Sequence, residues 1–89
     1  MNWDYSFDSR ALKELKKLDF TIQKQIIAYL DKHILSKENP QRFGKALTAS
    51  LSRLWRYRIG DYRLICQIQQ NNFLVLVLTV GHRKNIYIK

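Results

Sequence analysis

Cysteine and proline each occur once in this 89-residue chain, and glycine three times. One thiol, Cys66, cannot form an internal disulfide. So little Pro and Gly, beside 46% hydrophobic and 12% aromatic residues, excludes a basic disordered tail and describes a folded protein. Long apolar runs are also missing. The longest, Phe73 to Leu78, is far too short to span a membrane. The opening MNWDYSFDSR has neither the basic nor the apolar region of a signal peptide, so a soluble, cytoplasmic protein with no membrane attachment is expected. Acidic residues are scarce as well: seven Asp and Glu stand against sixteen Lys and Arg, for a formal net charge of +9.

That imbalance points to a polyanionic partner, because neutralising phosphates and releasing their counterions rewards it. Solubility alone is the competing explanation, and the distribution of charge along the chain separates the two. The length fits one domain, residues 1–89, and a chain this small buries only roughly 60 to 65% of the surface it exposes when unfolded.

Trp3, Tyr5 and Phe7 alternate with polar residues, the period of a half-buried strand. Asp8 or Ser9 then caps a helix with an apolar stripe of Ala11, Leu12, Leu15 and Leu18, and with Lys13, Lys16 and Lys17 as a solvated face. Asp19 caps a second helix that buries Ile22, Ile26, Ile27, Leu30 and Ile34. The run SKENPQ ends this helical hairpin, since Asn-Pro disfavours helix. A short helical turn is expected around Ala46 to Leu51.

From Leu54 the period becomes 2. Gly60-Asp61 reads as a two-residue hairpin turn and Gln70-Asn71-Asn72 as a longer one, giving strands near 54–59, 62–69 and 73–80 in an antiparallel meander. The last strand, FLVLVLTV, is apolar on both sides and suits an interior position. The fold class is therefore α+β, a small antiparallel sheet with two N-terminal helices packed on it, in the order β-α-α-β-β-β.

The hairpin LWRYRIGDYRLI concentrates the charge. With Gly60 and Asp61 at the turn, Arg58 faces Arg63 and Arg56 faces Ile65. Trp55, Tyr57, Ile59, Tyr62, Leu64 and Cys66 then share one face, and Arg56, Arg58 and Arg63 share the other. Like charges placed opposite each other destabilise a sheet, and a bound polyanion compensates them. Guanidinium groups suit that role, being planar, bidentate toward phosphate and charged at any physiological pH. The alternative is that they extend into water or pair with acids such as Asp4 or Glu38. A second cluster, GHRKNIYIK, follows Gly81, the expected end of the apolar strand, and adds His82, Arg83, Lys84 and Tyr87. No His, Cys or carboxylate spacing fits a metal, and no cofactor is expected. Trp3, Trp55, Tyr57 and Cys66 are assigned to packing.

In the order of its opening aromatic strand, ALKELKKLD, LWRYRIGDYRLI and VGHRKNIY, the chain resembles the RelE branch of the RelE/ParE superfamily of toxins from type II toxin-antitoxin modules. The resemblance implies a ribosome-dependent endoribonuclease that cuts mRNA in the ribosomal A site and is restrained, as a hetero-oligomer, by a RelB-like antitoxin. It also implies roles. Arg56, Arg58 and Lys84 would bind RNA phosphates, while Arg63, Arg83, Tyr87 and His82 would form the catalytic set. The best-known members carry lysine where Arg56 and Arg58 stand; arginine does not give up its proton, which leaves His82 and Tyr87 both open as the general base. Two other functions share the fold and charge: a ParE-like inhibitor of DNA gyrase without nuclease activity, and a noncatalytic nucleic-acid-binding module.

Overall fold

A computed structural model of the chain describes residues 2–35, 39–46 and 54–82. Strand β1 (Asp4–Phe7) leads through Asp8 into helix α1 (Ser9–Lys16). Asp8 is the N-cap; its carboxylate accepts from the Ala11 amide at 2.9 Å, satisfying one of the donors that a helix start leaves open. Lys13 and Lys16 occupy the last turn, where cations favour the helix dipole. Helix α2 (Phe20–His33) begins after Asp19, which sits at the cap position without a side-chain cap bond.

The sheet has five strands in the order β1-β5-β4-β3-β2, where β2 is Lys45–Ala46, β3 Leu54–Ile59, β4 Tyr62–Gln69 and β5 Leu74–His82. Two features differ from the sequence expectation. The sheet is mixed, because β1 runs parallel to β5, pairing Tyr5 with Val75 and Phe7 with Val77. A fifth strand, β2, pairs with β3 at Arg56 and Trp55, so Ala46 is extended rather than helical; residues 47–51 of the expected helical turn lie outside the described residues. Gly44 permits that approach. Its φ is +73°, and a Cβ there would run into the Arg56 carbonyl oxygen.

Ile26 and Leu30 from α2, Ile34 at its C-cap, and Ala11 and Leu15 from α1 close over Tyr57, Leu64, Cys66, Val75 and Val77 of the sheet. Each fully buried aliphatic side chain contributes roughly 1.5–3 kcal/mol. Leu12 does not join them. It is 39% exposed, since α1 meets β5 through Ala11 and Leu15, and the next residue points about 100° around the helix. Tyr57 donates its hydroxyl to the Pro40 carbonyl at 2.8 Å and the Trp55 indole donates to the Phe43 carbonyl at 2.6 Å, so the polar tips of both rings are satisfied while the rings pack. Trp3 is buried edge-on against Phe73. Phe73 itself takes a left-handed conformation, φ 50°, after the 3-10 turn Gln70–Asn72, so β5 begins at Leu74, one residue later than expected.

The end of β5 differs more. It runs through Gly81 to His82, and its pairing with β4 slips by one residue: Cys66 pairs with Val77 but Ile65 with Thr79, leaving Leu78 as a bulge. Alternation therefore changes phase. Val77 and Val80 both face the helices, Gly81 comes opposite Arg63, and His82 comes opposite Tyr62.

Candidate nucleic-acid interface

The β3–β4 hairpin turns at Gly60, with φ +59°, and Asp61, the sign pattern of a type II′ turn. Its twist matches the flanking strands and fixes the register as the sequence implies: Ile59 with Tyr62, Arg58 with Arg63, Tyr57 with Leu64, Arg56 with Ile65, Trp55 with Cys66. Burial then separates two faces. Tyr57, Leu64 and Cys66 are closed off under the helices, and Arg58 is exposed with Arg56 and Arg63 half-exposed on the far side.

Three guanidiniums thus share one surface. Arg58 Nε donates to the Gly60 carbonyl at 3.4 Å, a weak contact. Among the described residues, neither Arg56 nor Arg58 is within ion-pair distance of a carboxylate; the ion pair there is Arg10 with Glu14. Asp4 is turned to its neighbour, accepting from the Tyr5 amide at 2.7 Å, and Glu38 lies outside the described residues. The surface is not uniformly wet. Ile65, across from Arg56, is 2% exposed, and Arg63 Nε is shielded from solvent. Reduced hydration strengthens the pull of a guanidinium on an anion.

The strand register does not bring His82 to this surface. The Leu78 bulge turns it to the helix side, where its ring meets Tyr62 edge-on at 5.5 Å. Arg83, Lys84 and Tyr87 lie outside the described residues. Of the seven residues singled out in the sequence, the described structure therefore gathers Arg56, Arg58 and Arg63.

Among the described residues, Cys66 and Tyr57 lie closed off on the helix side. Burial pushes the Cys66 thiol up and the Tyr57 phenol up, so both stay protonated at neutral pH and neither serves as a nucleophile. Among the described residues, no group of three His, Cys, Asp or Glu side chains is placed to hold a metal ion.

Sequence reasoning passed over Glu14. Its carboxylate accepts from the Thr79 hydroxyl at 2.7 Å and from the Val80 amide at 3.0 Å, next to Gly81. The available signal was one acid in an otherwise basic helix, adjacent to the buried Leu15.

A family model described as the ParE toxin of type II toxin-antitoxin system, parDE, matches residues 5–87. The chain belongs to this family. Toxin RelG of Mycobacterium tuberculosis is 33% identical over 87 residues, covering 98% of each chain. Among solved structures, the toxin-antitoxin complex RelBE2 of M. tuberculosis superposes with a TM-score of 0.80 at 27% identity, over 96% of this chain and 95% of that one. The intact E. coli RelBE complex superposes at 0.70 and 26% identity, over 90% and 95%. This protein is accordingly a type II toxin of the RelE/ParE superfamily, with two helices on a five-stranded mixed sheet. No helix among the described residues is long and apolar enough to cross a membrane.

Proposed function

We propose that this toxin is a ribosome-dependent endoribonuclease that cleaves mRNA in the A site and so arrests translation. The observation that carries the reading is Arg58 set directly opposite Arg63, with Arg56 beside them, on a sheet face that no described helix covers. A sheet gains nothing from that pairing by itself, and an RNA backbone offsets the repulsion. The RelE-type names among its relatives support the same activity.

The reaction is attack of a ribose 2′-hydroxyl on the adjacent phosphorus. The 2′ oxygen loses its proton, the bond to the 5′ oxygen breaks as that oxygen takes up a proton, and the products are a cyclic phosphate and a 5′-hydroxyl end. Arg56, Arg58 and Lys84 bind flanking phosphates, and Arg63 and Arg83 balance the charge that builds on the phosphorane oxygens. Because His82 is turned toward Tyr62 on the helix side, we assign proton transfer to Tyr87. Tyr87→Phe is then expected to lower the cleavage rate by about 10²–10⁴-fold and His82→Ala by much less, the reverse order transferring the role to His82. A cognate RelB-like antitoxin holds the toxin in a hetero-oligomer until needed, and ribosomes place its action in the cytoplasm.

The deciding experiment maps mRNA 5′ ends by primer extension after in vitro translation, with and without ribosomes, beside Arg83→Ala. Cuts that require ribosomes, keep codon register and vanish in the variant are expected. The family description also names ParE, which favours a second reading: gyrase inhibition without cleavage. Intact mRNA under continuing translation, with inhibited supercoiling by gyrase, would establish that one instead.

A further inference from the structure

β1 gives out at Phe7, and among the described residues the Asp8 amide donating to the Val77 carbonyl at 3.0 Å is the last main-chain bond along that side of β5. β5 continues to His82. Beyond the Leu78 bulge, then, its outer edge has no strand beside it among the described residues, although Val80 is only 3% exposed. A buried amide without an acceptor is costly, and an open edge frays. Glu14 takes the place of the missing strand. One carboxylate oxygen accepts both the Val80 amide and the Thr79 hydroxyl, and the other faces Arg10 Nε at 3.6 Å. Helix α1 is a firm base for this clamp, because Ala11 and Leu15 are buried and Asp8 caps its start.

We propose that Glu14 is a positioning residue for the guanidinium surface, holding the end of β5 so that Gly81 stays opposite Arg63. The proposal rests on the reading that RNA is cleaved at this surface. Glu14 touches no RNA in this role; it acts through the strand end. A bond from a carboxylate to a backbone amide is charge-assisted and short, which suits a clamp at the one stretch where the bulge has weakened the ladder. Losing it lets the last residues of β5 wander relative to Arg63 while the arginines that bind phosphate remain on β3 and β4.

The test is single-turnover cleavage of mRNA on programmed ribosomes by the full-length toxin, with Glu14→Ala and Glu14→Gln. In Glu14→Ala the rate at saturating toxin is expected to fall about 10- to 100-fold, as a misplaced reacting group requires, while half-saturation shifts less than about 3-fold. Glu14→Gln keeps an oxygen that accepts both donors and is expected to retain most of the rate. Wild-type cleavage by Glu14→Ala, equal losses in rate and half-saturation, or a Gln variant as poor as Ala would each overturn the proposal. Should Glu14→Ala fail to fold, Thr79→Val removes one arm of the clamp and is expected to show the same split with a smaller loss; unchanged cleavage there overturns it. Hydrogen exchange at the Val80 amide gives a readout without activity, with exchange expected to accelerate by about tenfold or more in Glu14→Ala. If the wild-type protein does not cleave at all, the nuclease reading fails, and unaltered Val80 exchange would show separately that the clamp is absent.

Discussion

On the helix side of the β3–β4 hairpin, Tyr57, Leu64 and Cys66 are shut away from water; across the same backbone, one pleat away, Arg56, Arg58 and Arg63 form a cationic surface. The two sides divide the work. Burial on one contributes roughly 1.5–3 kcal/mol per large side chain, whereas like charges opposed on the other cost roughly 0.2–1 kcal/mol per pair. The first readily absorbs the second. A small domain can therefore carry an electrostatically unfavourable face so long as its opposite face is closed, and changes to the two faces should separate function from stability.

The largest separation is expected at Arg63. Arg63→Ala removes a guanidinium from the proposed transition-state contacts and should lower mRNA cleavage about 10²- to 10³-fold. Its urea midpoint should stay near that of the parent, because Arg63 is half-exposed and Tyr57 and Leu64 keep the core. A variant that unfolds would mean that the cationic face also holds the sheet together. Next comes Tyr57→Phe, which leaves the Pro40 carbonyl without its donor. The loss should be about 1–3 kcal/mol in stability with cleavage per folded molecule unchanged, measured by urea unfolding and by activity at matched folded fraction. Smaller still is Arg58→Thr. Relieving the Arg58–Arg63 opposition should stabilise the free protein by roughly 0.2–1 kcal/mol while weakening RNA binding. A destabilised Arg58→Thr protein would contradict the idea that the pairing is a burden the fold carries for a ligand.

How much of this was legible depends on where the information sits. The hairpin register was readable because Gly60 and Asp61 fix a two-residue turn and the alternation of Tyr57, Ile59, Tyr62 and Leu64 fixes the phase on either side. The side taken by His82 was not. FLVLVLTV is apolar at nearly every position, so period 2 carries no phase there, and the slip at Leu78 leaves no mark in composition. The parallel pairing of β1 with β5 and the bond from Glu14 to Thr79 join distant parts of the chain, and no local pattern encodes either. The short β2 depends on Gly44 meeting the Arg56 carbonyl, a contact that exists only once β3 is in place. Local chemistry thus identified the arginine surface, while its neighbourhood depended on tertiary pairing.

The smallest expected effect concerns pH, and it isolates the helix side, since arginine does not titrate in the accessible range. Tyr5 reaches from β1 to α2, donating its hydroxyl to Asp31 at 2.6 Å; burial first, and that bond second, push its pKa up to about 12. The Cys66 thiol and the Tyr57 phenol are also pushed up, by burial, from ordinary values of 9.0 and 10.0. For each, the native state keeps a proton that the unfolded chain releases. Their stabilising contribution is complete below the unfolded values and is lost as pH rises through the folded ones. Urea midpoints should therefore fall from about pH 9 upward, with Tyr5 contributing between about pH 10 and 12. The difference between parent and Tyr5→Phe isolates the Tyr5 contribution from those of Cys66 and Tyr57. Tyr5→Phe should be less stable at neutral pH, having lost the Asp31 bond, and should converge on the parent as pH approaches 12. A gap that stays constant with pH would mean that Tyr5 ionises as freely in the folded protein as in the unfolded chain, and that the edge of the helix side, unlike its centre, is open to water.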